Sequence, residues 1–350
     1  MKAIEAIVPR LRLALQAVDH PAAALPLEHL RDKGLAHDHV RLVGSGLLAR
    51  IPKQSQMGLA ASDNLTYQRA CFERAVVSGH TPALQSWLQP STHLPRGALL
   101  VQEIEGRPAQ LPADLGAMAT ALAALHALPV PRERAPLLSP PDPLRHLCDE
   151  LATQMKLLPA ASLGPSVARV IECEWRSVQT LLASSARPPQ CLIAFDAHPG
   201  NFIVQADGQA MLVDLEKCRY AYPGLDLAHA TLYTSTTWDV ETRAELTPEQ
   251  VGHFYAAWTG AVGSASEGAA AWHLPLRRAM WLWSLTWCAK WRATSGAAAS
   301  SRTDGEDWSS EHSEAALVAH VRDRVDHYLS LPVVSRVHEE FAALKQLLPT

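Results

Sequence analysis

Basic charge is not in excess in this 350-residue chain: 31 lysines and arginines stand against 35 aspartates and glutamates, and the formal net charge is −4. A nucleic-acid-binding protein normally carries a basic patch or stripe. The sequence shows no such run, so we expect no nucleic-acid partner.

Long apolar runs are also missing. The longest candidate, residues 117–130, is alanine-rich, contains His126 and is followed by Pro131. A transmembrane helix needs roughly 18 or more consecutive apolar residues, so we expect no membrane span. Residues 1–16 are apolar but interrupted by Glu5 and Arg10, a pattern typical of an amphipathic helix and not of a signal peptide. These features favour a cytoplasmic protein.

Several other signatures are absent. The six cysteines form no C-x-x-C pair, which favours reduced, buried thiols over disulfides or a cysteine metal site. Neither G-x-S-x-G nor H-E-x-x-H occurs, so the sequence offers no support for a serine hydrolase or a zinc protease of those types. We find no internal repeat and no sustained heptad.

The first hundred residues predict a strand-rich region with one prominent helix. Two alternating runs, residues 39–43 and 47–51, flank a Gly-Ser-Gly turn and predict a β-hairpin. A helix is predicted over residues 65–77, with Asp63 or Asn64 as its N-cap. Residues 98–104 predict a strand.

Beyond Gly106 the pattern becomes mainly helical. Helices are predicted at 114–128, 144–158, 165–185 and 275–293, short strands at 190–193, 202–205 and 210–213, and a loop at 295–313. A small β-rich lobe (residues 1–104) followed by a large, mainly helical lobe (residues 105–350) predicts an α+β fold with a cleft between the lobes.

The most informative stretch is A-F-D-A-H-P-G-N, residues 194–201, followed by V-D-L-E at residues 213–216. Asp196 and Asn201 fit the pattern D-x-x-x-x-N, with His198 between them as a further candidate catalytic residue, and Asp214 ends a hydrophobic strand. Phosphoryl transfer to an alcohol needs a carboxylate that orients the hydroxyl and oxygen ligands that hold Mg²⁺. Asp and Asn also cap ordinary turns, but the flanking strands and the second Asp favour catalysis.

These residues resemble the H-G-D-x-H-x-x-N and I-D-W-E motifs of the aminoglycoside phosphotransferase and choline kinase superfamily. The later run Y-P-G-L-D-L-A, residues 222–228, is similar to the G-x-P-x-x-D-L-A stretch of that superfamily. The resemblance implies a bilobal, protein-kinase-like fold. It also implies that Asp196 is the catalytic base, that Asn201 and Asp214 bind Mg²⁺, and that Asp226 anchors the catalytic loop.

The chain departs from this pattern at the head of the motif. Ala194 and Phe195 stand where the superfamily has His and Gly, which leaves the support of the loop open. Leu215 replaces the usual Trp.

The resemblance also assigns nucleotide-binding residues in the small lobe. Residues 34–40 lie where the superfamily has a glycine-containing turn over the phosphates. Arg50 matches the third-strand basic residue that grips the phosphates of ATP, with Lys53 as a competitor, and Glu73 is expected to form the ion pair that fixes Arg50. Gln102, Glu103 and Ile104 fall at the hinge, where backbone groups would hold the adenine.

Other candidates are less specific. The H-D-H run at residues 37–39 suggests a metal site. Adjacent residues of a strand point to opposite faces, however, and no further ligands cluster nearby in the sequence. His126 is expected to be a buried packing histidine. Trp283, Trp287 and Trp291 mark one helix face and are expected in the core, with an aromatic box for a cationic substrate as the alternative. Three further residues are candidates for binding the acceptor: Glu216, Tyr233 and Trp238.

The sequence therefore predicts an ATP- and Mg²⁺-dependent phosphotransferase that acts on a hydroxyl group of a small molecule, either a metabolite or an aminoglycoside-like drug. The alternative is a catalytically inactive pseudokinase that binds a nucleotide or metabolite. An acidic cluster (Asp239, Glu241, Glu245 and Glu249) would suit an aminoglycoside, but Arg243 interrupts it. The acceptor and the oligomeric state cannot be read from the sequence.

Overall fold

The structure is a computed structural model that describes residues 7–31, 34, 36–295 and 315–348. The predicted turn at residues 34–40 lies partly outside this set, and the predicted loop at 295–313 lies outside it apart from Ser295. Within the described part, no helix is both long and apolar enough to cross a membrane.

Contacts divide the chain into two compact units. Unit 1 comprises Met1–Val76, Pro82–Ile104 and Thr294–Arg322; unit 2 comprises Val77–Thr81, Glu105–Ala293 and Asp323–Thr350. The sequence-based boundary after residue 104 stays a prediction. Among the described residues, Val77–Thr81 belong to unit 2 and residues 294–295 and 315–322 to unit 1.

Unit 1 is built on a five-stranded antiparallel sheet in the order β1-β2-β3-β5-β4. Its strands are β1 (Leu27–His29), β2 (His37–Leu42), β3 (Leu47–Pro52), β4 (Leu84–Leu88) and β5 (Ala98–Gln102). The predicted hairpin is confirmed as β2 and β3, with Gly44 and Gly46 at positive φ in the turn. Helix α1 (Ile7–Gln16) buries Leu11 and Leu15 in the same core as the inward side chains of the sheet.

Helix α2 (Ala61–Ala75) begins earlier than predicted. Its N-cap is Ala60, which makes no side-chain capping bond, so the prediction of Asp63 or Asn64 as the cap is wrong. Asp63 lies instead in the first turn, where a negative charge interacts favourably with the helix dipole. Asn64 is buried on the helix face that packs inward.

Unit 2 is mainly helical. Its helices are α3 (Leu115–His126), α4 (Pro143–Met155), α5 (Pro165–Leu181), α6 (Pro223–Thr231), α7 (Tyr233–Thr236), α8 (Pro248–Val262), α9 (His273–Thr294) and α11 (Leu331–Leu347). The last residue of α9, Thr294, is assigned to unit 1. Helix α10 (Ala315–Tyr328) is divided between the units after Arg322. The predicted helices at 114–128, 144–158, 165–185 and 275–293 are confirmed within a few residues as α3, α4, α5 and α9.

Two small sheets position the motif in unit 2. Strand β7 (Cys191–Ile193) pairs with β10 (Arg219–Ala221), while β6 (Arg107–Pro108), β8 (Phe202–Val204) and β9 (Ala210–Leu212) form the second sheet. The motif residues thus lie in the connections between short, buried strands, and the surrounding helices supply the core.

Candidate active site

The predicted catalytic loop begins where strand β7 ends, and a buried carboxylate fixes its backbone. Asp226, in the first turn of α6, accepts hydrogen bonds from the backbone N–H groups of Ala194 (2.7 Å) and Phe195 (2.8 Å). Asp226 is fully buried. These bonds hold the chain directly before Asp196, which is the anchoring role that the resemblance implied for Asp226.

A second buried contact orients the Asp226 carboxylate. His126, at the end of α3, lies with Nε2 3.1 Å from Asp226 Oδ2, and its Nδ1 accepts a hydrogen bond of 3.0 Å from the indole N–H of Trp258. Since Nδ1 is an acceptor, the neutral ring carries its proton on Nε2 and donates it to the carboxylate. His126 is therefore buried and fully hydrogen-bonded, as expected, but its link to the catalytic loop was not predicted.

Phe195 has a left-handed backbone conformation, with φ of +60°. Glycine adopts this region freely, whereas a bulky side chain there is uncommon because its Cβ crowds the backbone. The conformation explains why glycine suits this position in the superfamily pattern. Here the phenylalanine ring is 2% exposed, with the Arg219 guanidinium 3.7 Å from its centroid and Trp283 edge-on at 5.2 Å.

The turn after Asp196 orients the Asn201 amide. Nδ2 of Asn201 donates to the backbone carbonyl of Asp196 (2.8 Å), and Nδ1 of His198 accepts from the backbone N–H of Gly200 (3.2 Å). A Cβ at Gly200 would lie 2.9 Å from the His198 ring and 3.0 Å from Asp239. A larger residue here would require the His198 ring or the Asp239 side chain to shift, so Asp239 is placed against the loop.

The β8–β9 hairpin brings Asp214 to the same end of the sheet as Asn201. Phe202 pairs with Leu212 in the ladder, and the backbone N–H of Val213 extends it by bonding to the Asn201 carbonyl at 2.9 Å. Asp214 follows directly. The two predicted metal ligands are therefore neighbours across a hairpin although thirteen residues separate them in sequence.

Asp196 lies among basic side chains. Its Oδ2 accepts a hydrogen bond of 2.6 Å from Nζ of Lys217, while Oδ1 lies 3.7 Å from Nδ1 of His229 and 4.0 Å from Nε2 of His198. Burial raises the pKa of Asp196, but the nearby basic groups, of which Lys217 has the largest effect, outweigh it, so that this pKa lies below its ordinary value. Asp196 is consequently ionised at neutral pH.

The basic partners of Asp196 differ in charge. Burial lowers the pKa of Lys217, but the carboxylates of Asp196 and Glu216 more than offset this, so the pKa is raised and the ammonium is retained. Burial lowers the pKa of His229 to about 4, so this imidazole is neutral at pH 7. The positive charge that pairs with Asp196 is therefore carried by Lys217.

The residues predicted to bind the acceptor are spread along the chain after Asp214. Glu216 is buried and comes two residues after Asp214. Tyr233, in α7, is buried and shares a hydrogen bond of 3.1 Å with His327. Trp238 is half-buried and packs against Trp287 (5.8 Å) and Tyr328 (6.2 Å). Contact with an acceptor stays a prediction for all three.

The tryptophans of α9 do not share one environment. Trp291 is buried, as expected of a core residue, while Trp283 and Trp287 are half-buried. Trp283 packs on Phe195 and Trp287 on Trp238. Two members of the stripe thus contact the predicted catalytic loop and a predicted acceptor residue, which periodicity alone could not indicate.

In unit 1, Arg50 is buried in strand β3 and its guanidinium lies 5.6 Å from the ring centroid of Phe72 on α2. Lys53 pairs with Asp38 at 3.3 Å. Asp38 also lies 3.5 Å from His29. In the described part of the chain, no group of three or more His, Cys, Asp or Glu side chains could hold a metal ion, which leaves the H-D-H run without a metal assignment.

The predicted ion pair between Arg50 and Glu73 is wrong. Glu73 is exposed and pairs with Arg69 at 2.8 Å, one helical turn earlier. The inward face of α2 is set by its buried residues, which include Gln68 and Phe72, and Glu73 follows on the solvent side. Spacing alone placed Glu73 on the helix but not on the correct face.

The predicted hinge residues lie at the end of β5. The Gln102 side-chain oxygen accepts a bond from the backbone N–H of Ala83 (3.3 Å). The Glu103 carboxylate pairs with Arg41 at 2.6 Å, and its backbone N–H bonds to the Gly46 carbonyl. Ile104 is the last residue of its unit 1 segment. Adenine binding by these residues stays a prediction.

Lys217, Arg219 and His229 lie close to the loop and were missed by the sequence analysis, whereas Trp283 was expected in the core and not beside the loop. The only available signal was the position of Lys217 and Arg219 directly after the V-D-L-E run. Their contacts depend on the pairing of β7 with β10 and on packing of α6 and α9, which local sequence does not encode.

A strand-rich unit, a helical unit and an anchored D-x-x-x-x-N loop beside a second aspartate define the class of kinase-like phosphotransferases. The sequence matches the phosphotransferase enzyme family (APH) over residues 75–261, just over half of its length, and the chain belongs to that family. No curated protein gives a match.

Solved structures share the fold across most of the chain. A choline/ethanolamine kinase family protein from Mesorhizobium loti is similar with a TM-score of 0.59 and 18% identity, covering 97% of this chain and 99% of its own. The choline kinase LicA from Streptococcus pneumoniae gives 0.57 and 12%, covering 92% and 99%. The ADP-bound aminoglycoside phosphotransferase APH(2'')-Ib gives 0.53 and 15%, covering 91% and 96%. The predicted α+β, kinase-like fold is confirmed.

Proposed function

We propose that this protein is an ATP-dependent kinase that transfers the γ-phosphate to a hydroxyl group of a small molecule. The observation that carries the proposal is the anchored, ionised Asp196, with the Asn201 amide fixed to its backbone and Asp214 beside Asn201 across a hairpin. Family membership supports the reaction class.

The residues present fit a magnesium ion. Nδ2 of Asn201 is held by the Asp196 carbonyl, so Oδ1 is the end of the amide that can bind a cation. Asp214 adds a carboxylate, and Mg²⁺ commonly uses one or two carboxylates together with phosphate oxygens and water. Asn201 and Asp214 would hold the ion, whose chemistry is to neutralise charge on the β- and γ-phosphates.

Asp196 is the proposed general base. Its Oδ2 is bonded to Lys217, whereas Oδ1 is no closer than 3.7 Å to either imidazole. Oδ1 is thus the oxygen that can accept a hydrogen bond from the acceptor hydroxyl. As the new O–P bond forms, the hydroxyl proton passes to Asp196, and ADP leaves with the electrons of the broken bond.

Arg50 is proposed to contact the ATP phosphates, since its planar guanidinium can bond two phosphate oxygens at once. Gln102, Glu103 and Ile104 are proposed to lie along the adenine. For the acceptor, Glu216, Tyr233, Trp238 and the loop-adjacent Asp239 are the proposed contacts. An acceptor that carries an amino group as well as a hydroxyl would suit the carboxylate of Asp239.

The test is a phosphorylation screen over small alcohols, including amino alcohols and aminoglycosides, combined with calorimetry of nucleotide binding with and without Mg²⁺. Asp196→Asn should lower kcat by roughly 100- to 10,000-fold, the usual contribution of a general base, while ATP binding changes little. Asp214→Asn should abolish the magnesium dependence of binding. Asp207→Asn, in the exposed β8–β9 turn, is the matched control and should behave as wild type.

The same experiment distinguishes the alternatives. Magnesium-dependent ATP binding without transfer to any alcohol would identify a pseudokinase. Transfer that survives Asp196→Asn would exclude Asp196 as the base, and absence of nucleotide binding would exclude the kinase function.

A further inference from the structure

Phe195 combines a disfavoured backbone conformation with a position directly before Asp196. Its φ of +60° lies in the left-handed region, where a residue with a Cβ is disfavoured relative to glycine. It also directly precedes Asp196, so any relaxation of its backbone would redirect that carboxylate. Such a conformation persists only where the surroundings impose it.

The surroundings of the ring can supply this constraint. The Arg219 guanidinium lies 3.7 Å from the centroid of Phe195, and Trp283 contacts the same ring edge-on, at 5.2 Å and an interplanar angle of 80°. Phe195 is 2% exposed and Arg219 is 7% exposed. A cation over an aromatic face is worth most when both groups are desolvated.

Arg219 is itself held in place from three sides. Strand pairing sets it opposite Ile193, two residues before Phe195. Its Nη1 bonds to Glu150 Oε1 at 3.0 Å, and its Nε donates to the backbone carbonyl of Lys217 at 3.3 Å. Arg219 therefore joins the strand before the loop, the Phe195 ring and the segment that carries Lys217.

We propose that Arg219, together with Trp283, is a positioning residue that holds Phe195 in the left-handed conformation and thereby orients the Asp196 carboxylate. The catalytic part of this inference rests on the proposed kinase function, whereas the conformational part does not. Arg219 does not touch the reacting atoms; it acts through Phe195.

The sharpest test compares Phe195→Ala with Phe195→Gly. Both remove the ring, but only alanine retains the cost of a Cβ at positive φ. Hydrogen exchange of the Ala194 and residue-195 amides, which bond to Asp226, reports the loop directly. We expect these amides to exchange about tenfold faster in Phe195→Ala than in Phe195→Gly. Equal or slower exchange in the alanine variant would overturn the proposal.

The second test removes the cation. Arg219→Met should raise exchange of the same amides about tenfold in wild type and less than twofold in the Phe195→Gly background. Arg219→Lys keeps the charge without the planar stack and should give an intermediate rise. Arg176→Met, which removes an exposed arginine of the same unit that pairs with Glu172, is the control. An Arg219→Met effect that is equal in both backgrounds, or an Arg176→Met effect as large, would refute the proposal.

Activity separates this inference from the proposed function. If wild type phosphorylates an acceptor, kcat should follow the same pattern as exchange while KM for ATP stays within about twofold, because the nucleotide site is not altered. If wild type transfers no phosphate, the kinase function fails and the exchange data alone decide the role of Arg219. If Arg219→Met lowers kcat by the same factor in the Phe195→Gly background as in wild type, the inference is overturned.

Discussion

The anchoring of the loop backbone at Ala194 and Phe195 by Asp226 leads to a quantitative prediction. Three donors converge on this buried carboxylate: the backbone N–H of Ala194 and His126 Nε2 on Oδ2, and the backbone N–H of Phe195 on Oδ1. Asp226→Ala leaves all three without an acceptor. His126 cannot compensate by changing tautomer, because its Nδ1 already accepts from Trp258.

The expected loss follows from the cost of unsatisfied buried groups. Each is worth roughly 1–3 kcal/mol, so Asp226→Ala should lower the free energy of unfolding by about 4 kcal/mol. Asp226→Asn should cost about 2 kcal/mol. If the asparagine oxygen takes the Oδ2 position, two of the three bonds are kept. The asparagine NH₂ group then faces the Phe195 N–H, and that bond is lost. A typical domain has only about 5–15 kcal/mol of stability, so the alanine variant should be marginal.

Urea titration followed by hydrogen exchange can measure this loss locally, since two units need not unfold together. Peptides that cover residues 191–197 should lose protection, while peptides from β3 in unit 1 serve as the internal reference. Asp207→Asn, in the exposed turn, keeps the side-chain oxygen that accepts from Gln209 N–H; it is the control and should change stability by less than about 0.5 kcal/mol. A loss below about 1 kcal/mol in Asp226→Ala would refute the view that this carboxylate anchors the loop.

Two further predictions concern stability. His273 is buried, and burial lowers its pKa from 6.5 to about 4. Between these values the unfolded chain binds a proton at this histidine more readily than the folded chain does. Up to about 3 kcal/mol of the free energy of unfolding is therefore lost as the pH falls from 6.5 to 4. Acid titration of His273→Leu should show a smaller loss than wild type, and equal losses would refute the assignment. Gly97→Ala places a Cβ 2.4 Å from the Leu88 carbonyl oxygen at a φ of +71°, so it should lower the free energy of unfolding by at least about 2 kcal/mol. Gly44→Ala, which also has a positive φ but open space around the Cβ, is the control and should cost about 1 kcal/mol in thermal unfolding. Equal costs would contradict the clash.

Local sequence predicted the elements that local rules control. The β2–β3 hairpin was predictable because glycines at positive φ flank its turn, and α3 because alanine and leucine dominate it. The start of α2 was not predictable from local sequence, because its N-cap, Ala60, makes no side-chain capping bond and tertiary packing decides the limits of the helix. Glu73 was assigned to the wrong partner for the same reason: the rotation of α2 about its axis depends on what it packs against.

The D-x-x-x-x-N loop and the second aspartate were predictable because both come from short contiguous motifs. The charge environment of Asp196 was not. Lys217 is three residues past Asp214 in sequence, after the β8–β9 hairpin, yet it bonds to Asp196, which precedes that hairpin. His229 approaches the same carboxylate from α6. Such contacts follow from the docking of short strands and helices, and a single sequence carries no direct signal for them.

The two replaced residues at the head of the motif have different physical consequences. Asp226 holds the loop through backbone N–H groups, which every residue except proline possesses, so this anchor does not depend on the side chains at 194 and 195. Alanine at 194 thus leaves the anchor intact. The backbone angle at 195 does depend on the side chain, because only glycine adopts it without cost. The departure at 195 therefore requires compensation elsewhere in the fold, and Arg219 over the ring, with Trp283 edge-on to it, are the contacts that we propose supply it.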